Sequence, residues 1–235
     1  MPAMPTLLVA AHGTASAAGS ATTAALVSAV VAARPQVPVS LCFLDVAAPR
    51  LAAALAAHPE PSVVVPLLLS TGFHVLEDIP AAVLRHPLAR VAHYLGPDPL
   101  VIDILVDRLA AVRGPAPVAT TVLIGAGSSN AAAADDLARA AHRLAERLGR
   151  PVPALTLGED VRAGLARAAA PVEVATYLLA EGRFVDNLRA AALAVGAGIV
   201  TVAEPIGVHP ALVALVLARY DAVRSGGLNT RSPRA

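Results

Sequence analysis

The sequence contains no lysine; all 18 of its basic residues are arginine. This excludes a Schiff-base lysine, the lysine of a phosphate-binding loop and a lysine general base. Any chemistry must come from His, Asp, Glu, hydroxyls or a metal. Tryptophan is also missing, and the single cysteine, Cys42, excludes an internal disulfide and a cysteine-built zinc cage. Aromatic residues are only 3% of the chain against 56% hydrophobic ones, so the core must be built from Ala, Val and Leu. No apolar run reaches the roughly 18–20 residues that a spanning helix needs. The longest candidate, 190–203, is followed by Glu204 and Pro205. The first residues lack a basic stretch ahead of an apolar one, so no secretory leader and a cytoplasmic location are expected. A net charge of +1, with no basic cluster interleaved with aromatics, leaves no nucleic-acid partner to expect, and no membrane partner either.

What is present is a regular alternation of short apolar runs with Ala-rich helical stretches. Strands are expected at 6–11, 39–44, 62–69 and 91–95, and helices at 21–33, 49–57, 78–85 and 99–112. The Val-Val-Val run at 63–65 suits a strand covered on both faces. Gly114-Pro115-Ala116-Pro117 breaks the pattern and the cycle restarts. The second cycle has strands at 120–124, 154–157, 172–179 and 199–203, and helices at 131–148, 161–169, 183–196 and 210–224. Strands alternating with helices imply βαβ units and parallel sheets. The tail 225–235, rich in Gly, Ser, Pro and Arg, is expected to be disordered.

The two cycles are a repeat. Leu-Leu-Val-Ala-Ala-His-Gly-Thr (7–14) aligns with Thr-Val-Leu-Ile-Gly-Ala-Gly-Ser (121–128), and Leu-Leu-Ser-Thr-Gly-Phe-His-Val (68–75) with Leu-Leu-Ala-Glu-Gly-Arg-Phe-Val (178–185). Gly96-Pro97-Asp98-Pro99 aligns with Gly207-Val208-His209-Pro210. The expectation is an α/β chain of two similar domains, 1–113 and 118–224. Each has a mostly parallel sheet flanked by helices, and a pseudo-two-fold relates them.

Ligands of open parallel sheets bind beyond the carboxyl ends of the strands. In the first cycle those ends carry His12-Gly13-Thr14, Asp45 and Ser70-Thr71-Gly72-Phe73-His74. Neutral imidazole binds first-row divalent metals and accepts a proton near neutrality. Strand-end geometry puts His12 and His74 within about 8 Å of each other. His58, His86, His93 and His142 fall in loops, near a strand or on a helix and read as structural. His209 occupies a strand-end loop of the second half.

These motifs, with Cys-Phe-Leu-Asp-Val-Ala-Ala-Pro-Arg-Leu after the second strand, Gly-Phe-His-Val-Leu-Glu-Asp-Ile-Pro after the third and Leu-Gly-Pro-Asp-Pro-Leu after the fourth, resemble the CbiX/SirB family of class II tetrapyrrole chelatases. The resemblance covers about 95 residues of the first half. It implies a sirohydrochlorin chelatase that inserts a divalent metal, Co²⁺ or Fe²⁺, for cobalamin or sirohaem biosynthesis. The metal is a substrate, and no organic cofactor is implied. His12 and His74 take the place of the family's metal-contacting, proton-accepting histidines, and Asp45 that of its acidic residue, usually the longer glutamate. Glu77 and Asp78 match the acidic stretch before Ile-Pro, with Asp78 equally placed to cap the next helix. Gly13, Thr14, Ser70, Thr71, Gly72 and Phe184 are candidate substrate contacts, and Arg50 and Arg85 candidate partners for substrate carboxylates. In the second half, Ala126 and Phe184 stand where His12 and His74 stand in the first. One active centre per chain is therefore expected. Because the two halves replace a homodimer, the chain is expected to be a monomer. The alternative is a metal-binding or metal-delivery protein on the same scaffold. A histidine phosphatase is disfavoured because Ala11, not arginine, precedes His12. A nucleotide loop at 125–130 lacks the third glycine at its required spacing.

Overall fold

The structure is a computed structural model that describes residues 4–114 and 117–225. Of the tail expected to be disordered, Ser225 instead ends the last helix, and 226–235 lie outside the described residues. The first half runs β1 (Thr6–Ala11), α1 (Ala17–Ala33), β2 (Val39–Phe43), α2 (Leu51–Ala57), β3 (Ser62–Leu67), a single π-helical turn (His74–Asp78), α3 (Ile79–Val83), β4 (Ala89–Val91) and α4 (Pro99–Val112). The second runs β5 (Thr120–Gly125), α5 (Ala131–Leu148), β6 (Ala154–Thr156), α6 (Val161–Arg167), β7 (Val172–Tyr177), α7 (Arg183–Val195), β8 (Val200–Val202) and α8 (Pro210–Ser225).

The strands form two four-stranded sheets, ordered β2-β1-β3-β4 and β6-β5-β7-β8. Every pairing is parallel. The same order in both halves bears out the duplicated α/β architecture. Strand periodicity divides the core. Leu7, Val9 and Ala11 join Val63, Val65 and Leu67 in a central cluster, whereas Leu8, Ala10 and Val64 point the other way, toward Leu51, Leu55 and Ile79. In the second sheet Leu123, Ala175 and Tyr177 face the central cluster, and Val122, Ile124 and Val174 face Val161, Leu165 and Leu188. Each sheet is thus covered on both faces.

The central cluster draws on both halves. α4 packs on β7 of the second sheet and α8 on β3 of the first, and the two helices pack on each other. Each half's last helix covers the other half's sheet, so the halves share one core. The helix starts repeat as well. Ser16 and Asn130 cap α1 and α5, accepting from the amides of Gly19 and Ala132.

The fourth strand is displaced from its expected place. It occupies Ala89–Val91 rather than 91–95. Beyond it, the Ala92 amide still donates to Val64 O (2.8 Å) and that of Leu95 to Leu68 O (2.9 Å). The buried apolar pattern therefore continues past the end of the strand. Among the described residues, no helix is long and apolar enough to cross a membrane.

Candidate metal-handling site

β1 ends at Ala11, and the chain turns out of the sheet through His12 and Gly13. Gly13 has φ +94°, and a Cβ there would lie 2.0 Å from Asp45 O. Glycine is thus required by the close approach of the loop after β2, where the Asp45 amide donates to His12 O (2.8 Å). Gly127 keeps the same left-handed backbone (φ +83°) in the second half, where Ala126 replaces the histidine.

β3 ends at Leu67, and the loop 68–73 leads into the π-helical turn that begins with His74. The sequence pattern expected a helix from 78; instead the chain is already wound at the histidine. π-helical turns are rare and gather at functional sites. The winding places His74 four residues from Asp78, and the imidazole Nδ1 lies 2.6 Å from Asp78 Oδ2. Asp78 therefore binds the histidine and makes no capping bond to α3. A carboxylate accepts only, so Nδ1 carries the proton and Nε2 presents its lone pair. His12 is set in the same way: its Nδ1 donates to Gly13 O at 3.1 Å, which leaves Nε2 free.

The two rings meet edge to face, with centroids 4.8 Å apart. This is inside the separation expected from the strand ends. Among the described residues, no three His, Cys, Asp or Glu side chains form a metal-ligating group. The imidazole pair thus stands without a third protein donor. Asp45 is adjacent through the backbone, but its carboxylate turns to Arg50, with Nη1 2.9 Å from Oδ1. A backbone amide at Val46 and the Arg50 guanidinium hold it below the usual aspartate value. Arg50 also donates to Leu44 O. Val46 between them has φ +65°, and the Ala47 amide closes a three-residue turn on Asp45 O at 2.7 Å. A β-branched residue at positive φ is strained, by about 1–3 kcal/mol.

The other candidates divide. The Thr14 hydroxyl accepts from the Ser16 amide (3.0 Å) and so orders the start of α1. Thr71 is tied to the second half: its amide and hydroxyl both reach Asp136 Oδ2, at 2.6 and 2.7 Å, and its hydroxyl also meets Tyr94 Oη at 2.6 Å. Thr71, a candidate substrate contact, thus has its amide and hydroxyl both engaged within the protein. Ser70 is half-buried beside it. A Cβ on Gly72 would meet only Ser128 Oγ, at 4.0 Å. Phe184 is 53% exposed, and Phe73, next to His74, is 65% exposed. Two of the three phenylalanines in the chain thus face solvent in a protein that has few aromatics to expose. Arg85 lines a cavity of about 420 Å³ between α2 and α3, and another of about 410 Å³ is lined by Thr22, Arg108, Glu181 and Glu204. Neither lining includes His12 or His74. His209 is a helix cap: its Nδ1 accepts from the Ala211 amide (3.2 Å), as Asp98 does for Leu100 at the start of α4.

The loops of the two halves face each other in exchange. A Cβ on Gly182, after β7, would meet Ser16 Cβ at 3.4 Å, and one on Gly19 would meet Glu181 O at 2.6 Å. The Tyr177 hydroxyl, at the end of β7, donates to Leu69 O at 2.8 Å. The histidine-bearing strand ends therefore abut the second half's matching loops, which carry Ala126 and Phe184.

Sequence reasoning missed Phe73, Tyr94 and Asp136. The His74–Asp78 bond had a signal, a His and an acid four residues apart, that is meaningful only once the segment is known to be helical.

Comparison with solved structures gives the same architecture. The sirohydrochlorin chelatase SirB from Bacillus subtilis subspecies spizizenii, in complex with cobalt, superposes with a TM-score of 0.80 at 21% identity, over 94% of this chain and 96% of that one. SirB from Bacillus subtilis with Fe³⁺ gives 0.78 at 23% identity, over 94% and 96%. CbiX, described as the terminal enzyme for biosynthesis of siroheme in denitrifying bacteria, gives 0.66 at 22% identity, over 92% and 98%. No curated protein matches the chain significantly. A family model, CbiX, matches residues 6–112 and, a second time, residues 120–223. The chain belongs to the CbiX family.

Proposed function

We propose that the protein is a sirohydrochlorin chelatase that inserts a divalent metal, Co²⁺ or Fe²⁺, into its tetrapyrrole substrate. The observation that carries the reading is the imidazole pair, 4.8 Å apart, with both Nδ1 atoms tied to acceptors and both Nε2 lone pairs free. Two imidazoles hold a first-row ion while leaving most of its coordination sphere open. A transfer site needs that, because the ion must leave for four pyrrole nitrogens.

Insertion also releases two pyrrole protons. As the ion passes to the macrocycle, each imidazole regains its Nε2 lone pair and can take one proton. Two histidines match two protons. The Asp78 carboxylate, 2.6 Å from the other nitrogen of His74, keeps the ring turned with Nε2 toward the transferred proton. The exposed faces of Phe73 and Phe184 offer an apolar surface to a flat ring. Asp45 acts by charge near His12 rather than as a ligand. Imidazole suits iron and cobalt alike, so the site serves either product line, sirohaem or cobalamin. A single chain supplies both walls of the site, in keeping with a monomer.

The test is absorbance. Sirohydrochlorin incubated with Co²⁺ or Fe²⁺ should show its bands shift at a rate proportional to protein concentration. Metal binding with no acceleration would identify a metal carrier on this scaffold instead.

A further inference from the structure

Asp136, on α5 of the second half, is fully buried (0% exposed). Its Oδ2 accepts from the Thr71 amide (2.6 Å), the Thr71 hydroxyl (2.7 Å) and the Tyr94 hydroxyl (2.9 Å), and its Oδ1 from Arg139. Burial acts to raise its pKa, but these donors outweigh burial and hold the carboxyl below the usual range. Three of the four bonds reach the first half. Two end on Thr71, three residues before His74. The next carbonyl, Gly72 O, accepts from the Val75 and Leu76 amides (3.0 and 3.1 Å) and so starts the wound segment that carries the histidine.

The duplication provides an internal comparison. Aligned through the caps Ser16 and Asn130 and the buried pairs Leu26/Ala140 and Val30/Leu144, Asp136 corresponds to Thr22. The Thr22 hydroxyl donates to Ala18 O on its own helix (3.0 Å). It faces a cavity of about 410 Å³ that it lines together with Glu181, the counterpart of Thr71. The fold therefore tolerates a helix-to-loop junction with no buried anion. Burying a carboxylate costs several kcal/mol before its partners compensate. The junction with the buried anion is the one that bears on the histidine loop.

We infer that Asp136 is a positioning residue: from the half without catalytic histidines, its carboxylate braces the 70–74 loop and so sets His74 against His12. The inference rests on the reading of those two histidines as the metal-handling pair.

The test is Asp136→Asn, which keeps the size but turns a donor toward donors. Co²⁺ affinity is measured without tetrapyrrole, and kcat and KM are measured with it. The expected result is a Kd for Co²⁺ at least tenfold weaker. In addition, kcat should fall by about 10–100-fold, the scale of an ångström's misplacement of a reacting group, with KM for sirohydrochlorin within twofold. Glu173→Gln, which breaks a buried ion pair on β7 away from both histidines, is the structural control and should change neither Kd nor kcat. If Asp136→Asn does not fold, Thr71→Val removes the hydroxyl donor alone and should move the same two quantities in the same direction. A folded Asp136→Asn or Thr71→Val protein with wild-type Kd and kcat overturns the brace, as does an equal loss in Glu173→Gln. If the wild type binds Co²⁺ at least tenfold more tightly than Asp136→Asn but inserts nothing, the chelatase reading fails and the brace stands.

Discussion

The imidazoles of His12 and His74 meet edge to face at 4.8 Å, although their strands end 56 residues apart in the chain, from Ala11 to Leu67. β1 and β3 are neighbours in the sheet, paired in register to Ala11 and Leu67. Parallel neighbours therefore deliver both side chains to the same edge, and the contact follows from topology.

The first prediction is the loss of that pair. His12→Ala and His74→Ala should each lower the insertion rate by about 100-fold or more, the scale of removing a positioned proton acceptor. Thermal unfolding should shift by no more than a degree or two, because both residues lie outside the core. Wild-type rates in both variants would show the site to be elsewhere.

Asp78 sets the tautomer of His74. Asp78→Asn keeps the shape but removes the acceptor that favours a proton on Nδ1. Outer partners of ligating histidines typically change metal affinity by about 10–100-fold. Titration with Co²⁺ should show a loss of that size at unchanged stoichiometry. An unchanged affinity would mean that Asp78 only orders the π-helical turn.

Phe73 and Phe184 should matter for the macrocycle and not for the ion. With each phenyl face exposed, alanine at either position removes apolar surface worth about 1–2 kcal/mol when covered. KM for sirohydrochlorin should rise by roughly tenfold with Co²⁺ affinity unchanged. An unaltered KM in both variants would leave the ring to bind on another surface.

The acid limb of stability should report Glu173. It is 2% exposed, bonded by Arg113 at 2.7 and 3.1 Å, by Arg150 and by Thr121 at 2.8 Å. Burial acts to raise its pKa, but these donors and charges outweigh it and the folded value is lowered. A lowered folded pKa contributes stability that is complete above the unfolded value, near 4.5, and is lost as pH falls through the folded value. Glu173→Gln should therefore lower stability at neutral pH by about 2 kcal/mol, and the difference from wild type should shrink as the pH is taken below about 4. Thermal melts across that range measure it, and a difference that grows toward acid would contradict it.

Much of this was legible because the relevant signals are local. The helices expected at 99–112 and 131–148 are α4 and α5. His12 and His74 stand out beside glycines at equivalent strand ends. The fourth strand was misplaced because Ala92 and Leu95 are buried and bonded to the chain of β3 and after it without being strand; apolar periodicity records burial, not dihedral angles. The Asp136–Thr71 bond spans 65 residues, and the crossing of α4 and α8 onto opposite sheets likewise has no local mark. Both depend on how two halves dock, which a pattern read along one chain does not contain.

The last prediction concerns the second half. A second centre needs two imidazoles at the ends of β5 and β7, where Ala126 and Phe184 stand. Neither side chain can bind an ion or accept a proton. The nearby histidine, His209, is otherwise engaged: its Nδ1 accepts from the Ala211 amide, and its Nε2 lies 3.4 Å from Asp107 Oδ2. A ring used as a helix cap lacks the free, converging lone pair that His12 and His74 present. Metal titration under reducing conditions should therefore give one tight site per chain, lost in the His12→Ala/His74→Ala double variant. His209→Ala should keep that site and its affinity. It should instead lower stability by about 1 kcal/mol, the usual cost of losing a cap, seen as a small drop in the melting temperature. A second site of similar affinity that disappears only in His209→Ala would show that the C-terminal half has chemistry of its own, and that the duplication had kept two centres rather than one.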